Sequence, residues 1–413
     1  MHMNTKRNFW SIFILPLTLF FIYNVKFINL PPTIYLTTMV LFILAIWGIV
    51  NNQSIPKKLA IPLFLYFIFV LFVFLSAIKN GGNTHIYFNI GVIFISFFVA
   101  PYAYCFLFKN NKIKILKYIS WAGIINALMI IIMFLFPNIR GFYLSLLSSS
   151  GLLQVYNNID INTSYYALRM LGLTGSATYG MAVTQITLSF VYSYYILATQ
   201  KKINIVNIIT LNLLIVSAIL SGRTAFIGIP ILFIYLLKFT RFKDMIKIIT
   251  VNIFIFAILL FFAALVLPDN YFSFFLKWFT EFFQKGMNVG SLQSNLNMYI
   301  YTLEDFSLLG DFKLHSDDTK SAYYMNTDIG WYRLLFAFGY LGSISFLLFF
   351  ISLFDIKTTI SKKNGASIAI GIFLIIVMFK GAILLDFYIA FFILCILYIY
   401  DDGGNNNESV NSF

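Results

Sequence analysis

The feature that most constrains this chain is a series of long apolar segments separated by short polar connectors. A transmembrane α-helix needs about 20 predominantly apolar residues. Twelve segments meet or approach that length: 9–28, 34–50, 60–78, 86–107, 118–137, 174–198, 203–220, 224–238, 248–267, 332–354, 366–380 and 384–400. Backbone polar groups in lipid must pair within their own segment, so such segments have to be helical. The sequence predicts an all-α integral membrane protein of about 12 transmembrane helices, with 1–413 as a single polytopic membrane domain.

The composition agrees with that class. The chain is 60% hydrophobic and 10% charged, whereas a soluble domain carries about 25% charged residues. Lys6 and Arg7 precede the first apolar run, as in a signal peptide, but no small-residue cleavage site follows, which predicts a first transmembrane helix instead. Cys105 and Cys395 both lie in apolar segments, so no disulfide framework is expected.

The distribution of positive charge predicts the orientation. The formal net charge is +13, which in a soluble chain would suggest a nucleic-acid partner. Here the lysines collect in alternate connectors, at 57–58, 109–117, 201–202, 238–247 and 357–363. Under the positive-inside rule these connectors are cytoplasmic, and both termini are inside. The charge is thereby accounted for by topology, and no nucleic-acid partner is expected.

Two of the outward loops are long in this topology. The third loop spans 138–173, and its apolar, serine-rich beginning, 141–153, predicts a helix lying in the membrane interface. The fifth loop spans 268–331 and is the longest stretch suited to water. The asparagine-rich and glycine-rich tail, 401–413, is predicted to be a disordered cytoplasmic segment.

Four of the six arginines fall on the outer side, against the charge rule: Arg140, Arg169, Arg223 and Arg333. A guanidinium binds phosphate through two parallel hydrogen bonds. These arginines would therefore suit a lipid-linked phosphate or pyrophosphate. The alternative is that they extend to lipid headgroups. That alternative is weakest for Arg223, whose turn is too short to point away from the helix bundle.

The second half of the fifth loop concentrates carboxylates. Asp328 lies just before the tenth segment and Arg333, at the height of the membrane surface, where a carboxylate can act as a general base. The alternative for Asp328 is a helix cap or a partner for Arg333. Glu304 is predicted on a helix beginning near Ser291. His315 is isolated in the sequence, so a solvated role competes with a catalytic one.

Polar residues inside the apolar segments have structural interpretations. Asp386 follows Lys380 in the last segments, which predicts a buried ion pair. Asn126, Gln185 and Asn212 are expected to form hydrogen bonds between helices. The chain contains no GxxxxGK, HExxH or GxSxG motif, and its histidines are too scattered to suggest a metal site. ATP hydrolysis and zinc chemistry are therefore unsupported.

Three short motifs in this topology resemble one family. Ser-Gly-Arg-Thr-Ala at 221–225 is similar to the S-x-R-[TG]-A turn of the O-antigen polymerase and ligase superfamily. Arg169 followed by Gly172 resembles the end of that superfamily's third outer loop. Leu-Leu-Gly at 308–310, then Asp328 and Gly-Tyr-Leu-Gly at 339–342, resembles the run that closes its large loop. The chain thus resembles the O-antigen polymerase (Wzy) family across nearly its whole length in topology.

The resemblance implies a membrane-embedded, GT-C-like glycosyltransferase of the bacterial inner membrane. Its substrates would be oligosaccharide repeat units linked to undecaprenyl pyrophosphate, joined at the periplasmic face, with membrane lipid around it and a chain-length regulator and a flippase as further partners. Arginines would stabilise the leaving pyrophosphate and a carboxylate or histidine, Asp328 or His315, would accept the proton, so neither a metal nor another cofactor would be required.

The ligase branch departs from this chain at two places. Ligases carry a histidine just before the tenth-segment helix, where this chain has Asp328, and an arginine on a loop helix, where residues 291–304 have none. Both departures favour a polymerase over a ligase. A lipid-linked oligosaccharide flippase is the alternative from another class, although it should carry midspan charges and internal repeats. A non-enzymatic scaffold is a third possibility.

Overall fold

The chain forms an α-helical bundle in the computed structural model, which describes residues 4–147, 170–174, 178–200, 203–267, 269–285, 293, 296–316, 323–354 and 361–399. In chain order the helices are α1 Asn4–Tyr23, α2 Thr33–Val50, α3 Ala60–Asn80, α4 Thr84–Leu107, α5 Lys112–Leu135, α6 Pro137–Ser145, α7 Thr178–Thr199, α8 Ile205–Ser221, α9 Ala225–Phe239, α10 Phe242–Val266, α11 Asp269–Lys285, α12 Gly330–Ser352, α13 Lys362–Val377, α14 Ile383–Asp386 and α15 Ile389–Ile399. Within those ranges there is no β-strand, only two isolated bridges.

The helices confirm the predicted all-α membrane architecture. Seven are long and apolar enough to cross a membrane: α2, α3, α4, α5, α7, α10 and α12. The other five predicted segments coincide with shorter apolar helices. The last predicted segment, 384–400, is wrong as a continuous helix, because the chain breaks between α14 and α15. The chain is thus an all-α, multi-pass membrane protein.

The bundle has a central helix and a peripheral one. Helix α7 packs against α5, α8, α9 and α13, and 89% of its apolar 18-residue stretch is buried. Only 17% of the corresponding stretch of α10 is buried. Its side chains Ile253, Phe254 and Phe261 are largely exposed. Exposed apolar side chains over a whole helix face suit lipid as the surrounding solvent.

The polar residues predicted to join helices do so. The Gln185 amide donates to Ser217 and accepts from Tyr23, which ties α7 to α8 and α1. Asn126 donates to Met181 on α7, and Asn212 donates to the carbonyl of Ile248 on α10. Such hydrogen bonds from buried amides hold apolar helices together where the surrounding lipid contributes little driving force.

Helix α12 is broken at Gly339 by the fifth loop. Gly339 has φ 63° and ψ −169°, and Gly310 has φ 73°, so both favour glycine. The backbone N–H of Phe312 donates to Ala337, and that of Leu341 donates to Leu308. The two glycine-containing motifs singled out in the sequence therefore pack directly against each other. This contact fastens the fifth loop to the bundle.

The fifth loop begins with a helix that the sequence analysis did not predict. Two residues separate α10 from α11, and Phe275 of α11 is fully buried against Phe134, with ring centroids 4.8 Å apart. Residues 293 and 296 are helical, but the helix predicted from Ser291 does not extend to Glu304, because residues 299–302 are not helical. Glu304 belongs to a single 3₁₀ turn, Leu303–Asp305, which is closed by a capping box from Thr302.

Part of the third loop can be compared with its prediction. A helix is expected over 141–153, and the described part of that range carries α6, which begins earlier at Pro137 and ends at Ser145. Residues 148–169 of the third loop, which include Tyr156 and Arg169, and the tail at 401–413 lie outside the described residues.

Candidate functional site

Arg333 is the centre of a charged cluster at one end of the bundle. It lies in the first turn of α12 and is 4% exposed. Its Nη1 atom lies 3.9 Å from Asp328 Oδ1 and 3.9 Å from Asp386 Oδ2. Its guanidinium also lies over the Tyr323 ring, 4.4 Å from the ring centroid. A buried guanidinium requires such partners, because an unpaired buried charge is very costly.

Asp328 is held at the cluster by the start of α12. Its backbone N–H contacts Met298, and the next helix residue, Gly330, donates its N–H to Met378. A Cβ on Gly330 would collide with the backbone of Gly381, so only glycine allows this close approach. The predicted alternative of a cap is wrong in detail, since Ile329 holds the N-cap position. The predicted pairing of Asp328 with Arg333 is confirmed by the distance between them.

The environment of Asp328 shifts its acidity. Burial raises the pKa of the Asp328 carboxyl to about 6. The positive charges of Arg333 and Lys380 lower this pKa, and the negative charge of Asp386 raises it. A carboxylate with this pKa is ionised at neutral pH and is a stronger base than an ordinary aspartate. It is therefore suited to accept a proton from a hydroxyl group.

Asp386 belongs to this cluster rather than to a continuous last helix. It ends the four-residue α14 and is half exposed, at 51%. The sequence predicts a pair with Lys380, and the structure adds Arg333 as a partner of the Asp386 carboxylate. Lys380 donates a hydrogen bond to Thr224. Asp386 is thus a site residue that the sequence assigned only a structural role.

His315 is not isolated in the fold. Its ring lies 5.7 Å from that of His85, at the start of α4, and 5.8 Å from that of Tyr323. An antiparallel bridge joins His315 to Tyr323. Since Tyr323 also underlies Arg333, one tyrosine connects the histidine to the charged cluster. The sequence feature that could have pointed to His85 is the turn Gly81-Gly82-Asn83, which directly precedes α4.

A cavity of about 820 Å³ opens beside the cluster. It reaches Asp386 and His315 on one side, and its other walls come from the α1–α2 connector, the first turns of α4 and the segment around Tyr388. Ligand sites in proteins are typically clefts of about 300–1,000 Å³ with a few placed polar groups. The size and lining suit a small polar ligand or one sugar-containing part of a larger one.

Arg223 lies in the predicted tight turn between α8 and α9, but it has a protein partner. Its Nη2 atom lies 2.6 Å from Glu281 on α11, and the two side chains are 14% and 13% exposed. The next residue, Thr224, accepts the hydrogen bond from Lys380. The turn therefore contacts both the fifth-loop helix and the surroundings of Asp328.

Contacts link two of the four predicted arginines to the region of Asp328. Arg333 joins Asp328, and Arg223 is linked to that region through its neighbour Thr224. Arg140 is buried on α6, at 7% exposure. Arg169 lies outside the described residues. The structure thus supports a site that includes Arg333 and Arg223. Arg333 lies beside Asp328 and Asp386, and Arg223 lies beside Glu281.

The chemistry of the site is acid–base and electrostatic. Within the described ranges no three histidine, cysteine or acidic residues are grouped so as to hold a metal ion. The arrangement places a carboxylate of raised pKa beside two cations, with two histidines and a polar cavity adjacent. It can bind a polar substrate, take a proton from it and stabilise negative charge.

The chain stands apart in comparisons with known proteins. No protein-family model, no curated protein and no solved structure matches it.

Proposed function

We propose that this protein is a surface-polysaccharide polymerase of the O-antigen polymerase type, a metal-independent membrane glycosyltransferase. Its substrates are oligosaccharide repeat units carried on undecaprenyl pyrophosphate. The observation that supports the proposal best is the pairing of Asp328, with its pKa near 6, with Arg333 beside a polar cavity. The motif resemblance adds the substrate class.

The reaction proceeds in one displacement. A hydroxyl of one repeat unit attacks the anomeric carbon of the growing chain. A new glycosidic C–O bond forms while the C–O bond to pyrophosphate breaks, and the electron pair leaves with undecaprenyl pyrophosphate. The hydroxyl proton passes to the Asp328 carboxylate, for which His315 is the alternative acceptor. The energy is already in the donor, so no nucleotide is consumed.

Cations near the site neutralise the leaving group. Lys380 and Arg333 flank Asp328, and Arg223 lies one residue from the Lys380 partner. A guanidinium carries five N–H donors, so Arg223 can hold Glu281 and a phosphate oxygen at once. Arg140 and Arg169 remain candidates for the same pyrophosphate on the third loop.

The cellular setting is part of the proposal. The protein resides in the bacterial inner membrane with about twelve spans, both termini in the cytoplasm and the site at the periplasmic face. It works with a flippase that delivers the repeat units and a chain-length regulator.

The test is the lipopolysaccharide ladder of a strain that lacks the protein, complemented with single variants. We expect the deletion and Asp328→Asn to leave one-repeat caps, and Glu304→Gln, an exposed acid of the same loop, to restore a normal ladder. Wild-type polymer from Asp328→Asn at normal expression would refute the assignment of the base. Loss of all O-antigen from the core with long lipid-linked chains would indicate a ligase. Repeat units trapped at the cytoplasmic face would indicate a flippase.

A further inference from the structure

One face of α4 is built as a wall of the cavity. His85, Phe88, Asn89 and Val92 all line it and follow each other at spacings of three, one and three residues, which places them on one side of a helix. The Nδ2 atom of Asn89 is buried and has no hydrogen-bond partner among the described residues. A buried donor of this kind calls for an acceptor from a ligand or water.

The start of α4 is fixed before any ligand arrives. The side-chain oxygen of Asn83 accepts the backbone N–H groups of His85 and Ile86. This cap satisfies the free N–H groups of the first turn. Asn83 also lines the cavity, and the nitrogen of its amide group carries two further N–H donors.

The opposite walls bring aromatic rings and a carboxylate. Tyr35 on α2 is 51% exposed, and its ring meets that of Phe88 at 5.7 Å. Tyr388 is fixed by a hydrogen bond from its hydroxyl to the carbonyl of Phe21. Asp386 borders the cavity at its junction with Arg333. The cavity therefore combines amides, a carboxylate, the Lys26 ammonium, two histidines and exposed rings.

From this lining we infer that the cavity is a saccharide-binding subsite that holds the acceptor sugar. Sugar hydroxyls both donate and accept hydrogen bonds, which suits the Asn89 amide and the Asp386 carboxylate, while the C–H face of a pyranose stacks on rings such as Phe88. Pyrophosphate is the competing occupant that the experiment tests, because Asp386 would repel it whereas Lys26, which also lines the cavity, would attract it.

The location explains why this sugar is the acceptor. Asp386 and Asp328 lie at the same distance from one Arg333 nitrogen, so they are at most twice that distance apart. A sugar held by Asp386 thus presents hydroxyls near the proposed base. The inference rests on the proposed function and assigns it a binding site.

The experiment measures binding rather than transfer. The full chain is placed in nanodiscs, which avoids competition from glycoside detergents, and is titrated calorimetrically with the repeat-unit oligosaccharide released by mild acid from the host polysaccharide. Inorganic pyrophosphate is titrated separately. We expect the oligosaccharide to bind and Asn89→Leu and Phe88→Ala each to weaken it by about 2- to 10-fold, the effect of one lost contact. The matched controls, Asn51→Leu just after α2 and Phe64→Ala on α3, are at exposed positions that do not line the cavity and should bind as the wild type does.

The outcomes separate this inference from the proposed function. Equal affinity of Asn89→Leu, Phe88→Ala and the wild type would overturn the subsite, and so would binding of pyrophosphate that is lost in these variants while the sugar does not bind. The ladder experiment would be untouched by either result. Binding that depends on Asn89 and persists in Asp328→Asn supports the subsite, even if the deletion strain were to keep its polymer and the polymerase assignment were to fail.

Discussion

At the scale of single residues, burial and charge act on Asp328 in opposite directions. Burial has the larger effect and raises its pKa to about 6, while Arg333 and Lys380 pull the pKa down. Asp386 contributes a smaller upward push. The acidity of the proposed base is therefore set by neighbours that can be changed one at a time.

The pH dependence of polymer formation follows from that balance. If Asp328 is the proposed base, it must be ionised, so kcat/KM should fall about tenfold per pH unit below about pH 6 and level off above it. Asp386→Asn removes a negative neighbour and should move the acidic limb of the pH–rate profile to lower pH. Lys380→Met removes a positive neighbour and should move the same limb to higher pH. A pH series with purified enzyme checks this. An unmoved limb in both variants would exclude Asp328 as the titrating group.

The Arg223–Glu281 pair allows two roles of one arginine to be separated. If Arg223 binds pyrophosphate through its planar fork, Arg223→Lys should reduce polymer formation by about 10- to 150-fold, the loss of one charge-assisted contact of about 1.5–3 kcal/mol. Glu281→Gln should then retain most of the polymer. Equal losses in both variants, at normal membrane insertion, would show that Arg223 acts only by holding α11.

At the scale of elements, the contact between the fifth loop and the break in α12 depends on glycine. A Cβ on either Gly310 or Gly339 would run into the backbone of the other segment, and both have positive φ. Each alanine substitution should therefore destabilise the protein by about 1–3 kcal/mol or more. Gly91→Ala is the control, because a Cβ there meets nothing within 4 Å and alanine favours the helix.

The measurement is thermal unfolding of the purified protein in detergent. Gly310→Ala and Gly339→Ala should lower the melting temperature, and Gly91→Ala should leave it unchanged or raise it. A melting temperature for Gly339→Ala that equals that of Gly91→Ala would mean that the loop is not fastened at this point.

The sequence predicted the apolar helices well, because hydropathy and length report directly on lipid as a solvent. It missed two kinds of feature. The break between α14 and α15 has no proline, so only tertiary packing reveals it. The meetings of His315 with His85 and of Asp386 with Arg333 join residues far apart in the chain, which spacing within one segment does not show.

At the scale of the whole molecule, side-chain contacts assign several lysines to one end. Lys112 donates to Tyr194 and Lys362 to the carbonyl of Leu197, both near the end of α7. Asn80, at the end of α3, donates to Gly310 in the fifth loop. The topology prediction is that Lys112, Lys243 and Lys362 face the cytoplasm and that Tyr156 and Asp311 face outward.

Single-cysteine variants of a cysteine-free protein test this prediction in whole cells. An impermeant maleimide should label positions 156 and 311 only, and all five after the cells are opened. Labelling at 243 in intact cells would overturn the orientation, together with the periplasmic location of the site.

The break in the last span has a consequence for how far a lipid-borne substrate must travel. Helix α15 has 11 residues and is about 16 Å long, roughly half of a hydrocarbon core of about 30 Å. Its end is marked by Tyr398, which lies under the Lys58 ammonium. Asp386 precedes this short helix, and the cavity that it borders extends along α4 as far as Val92. In the proposed reaction, a headgroup that enters this cavity would react where its own polyprenyl tail already holds it, so the carrier would not have to be extracted from the membrane.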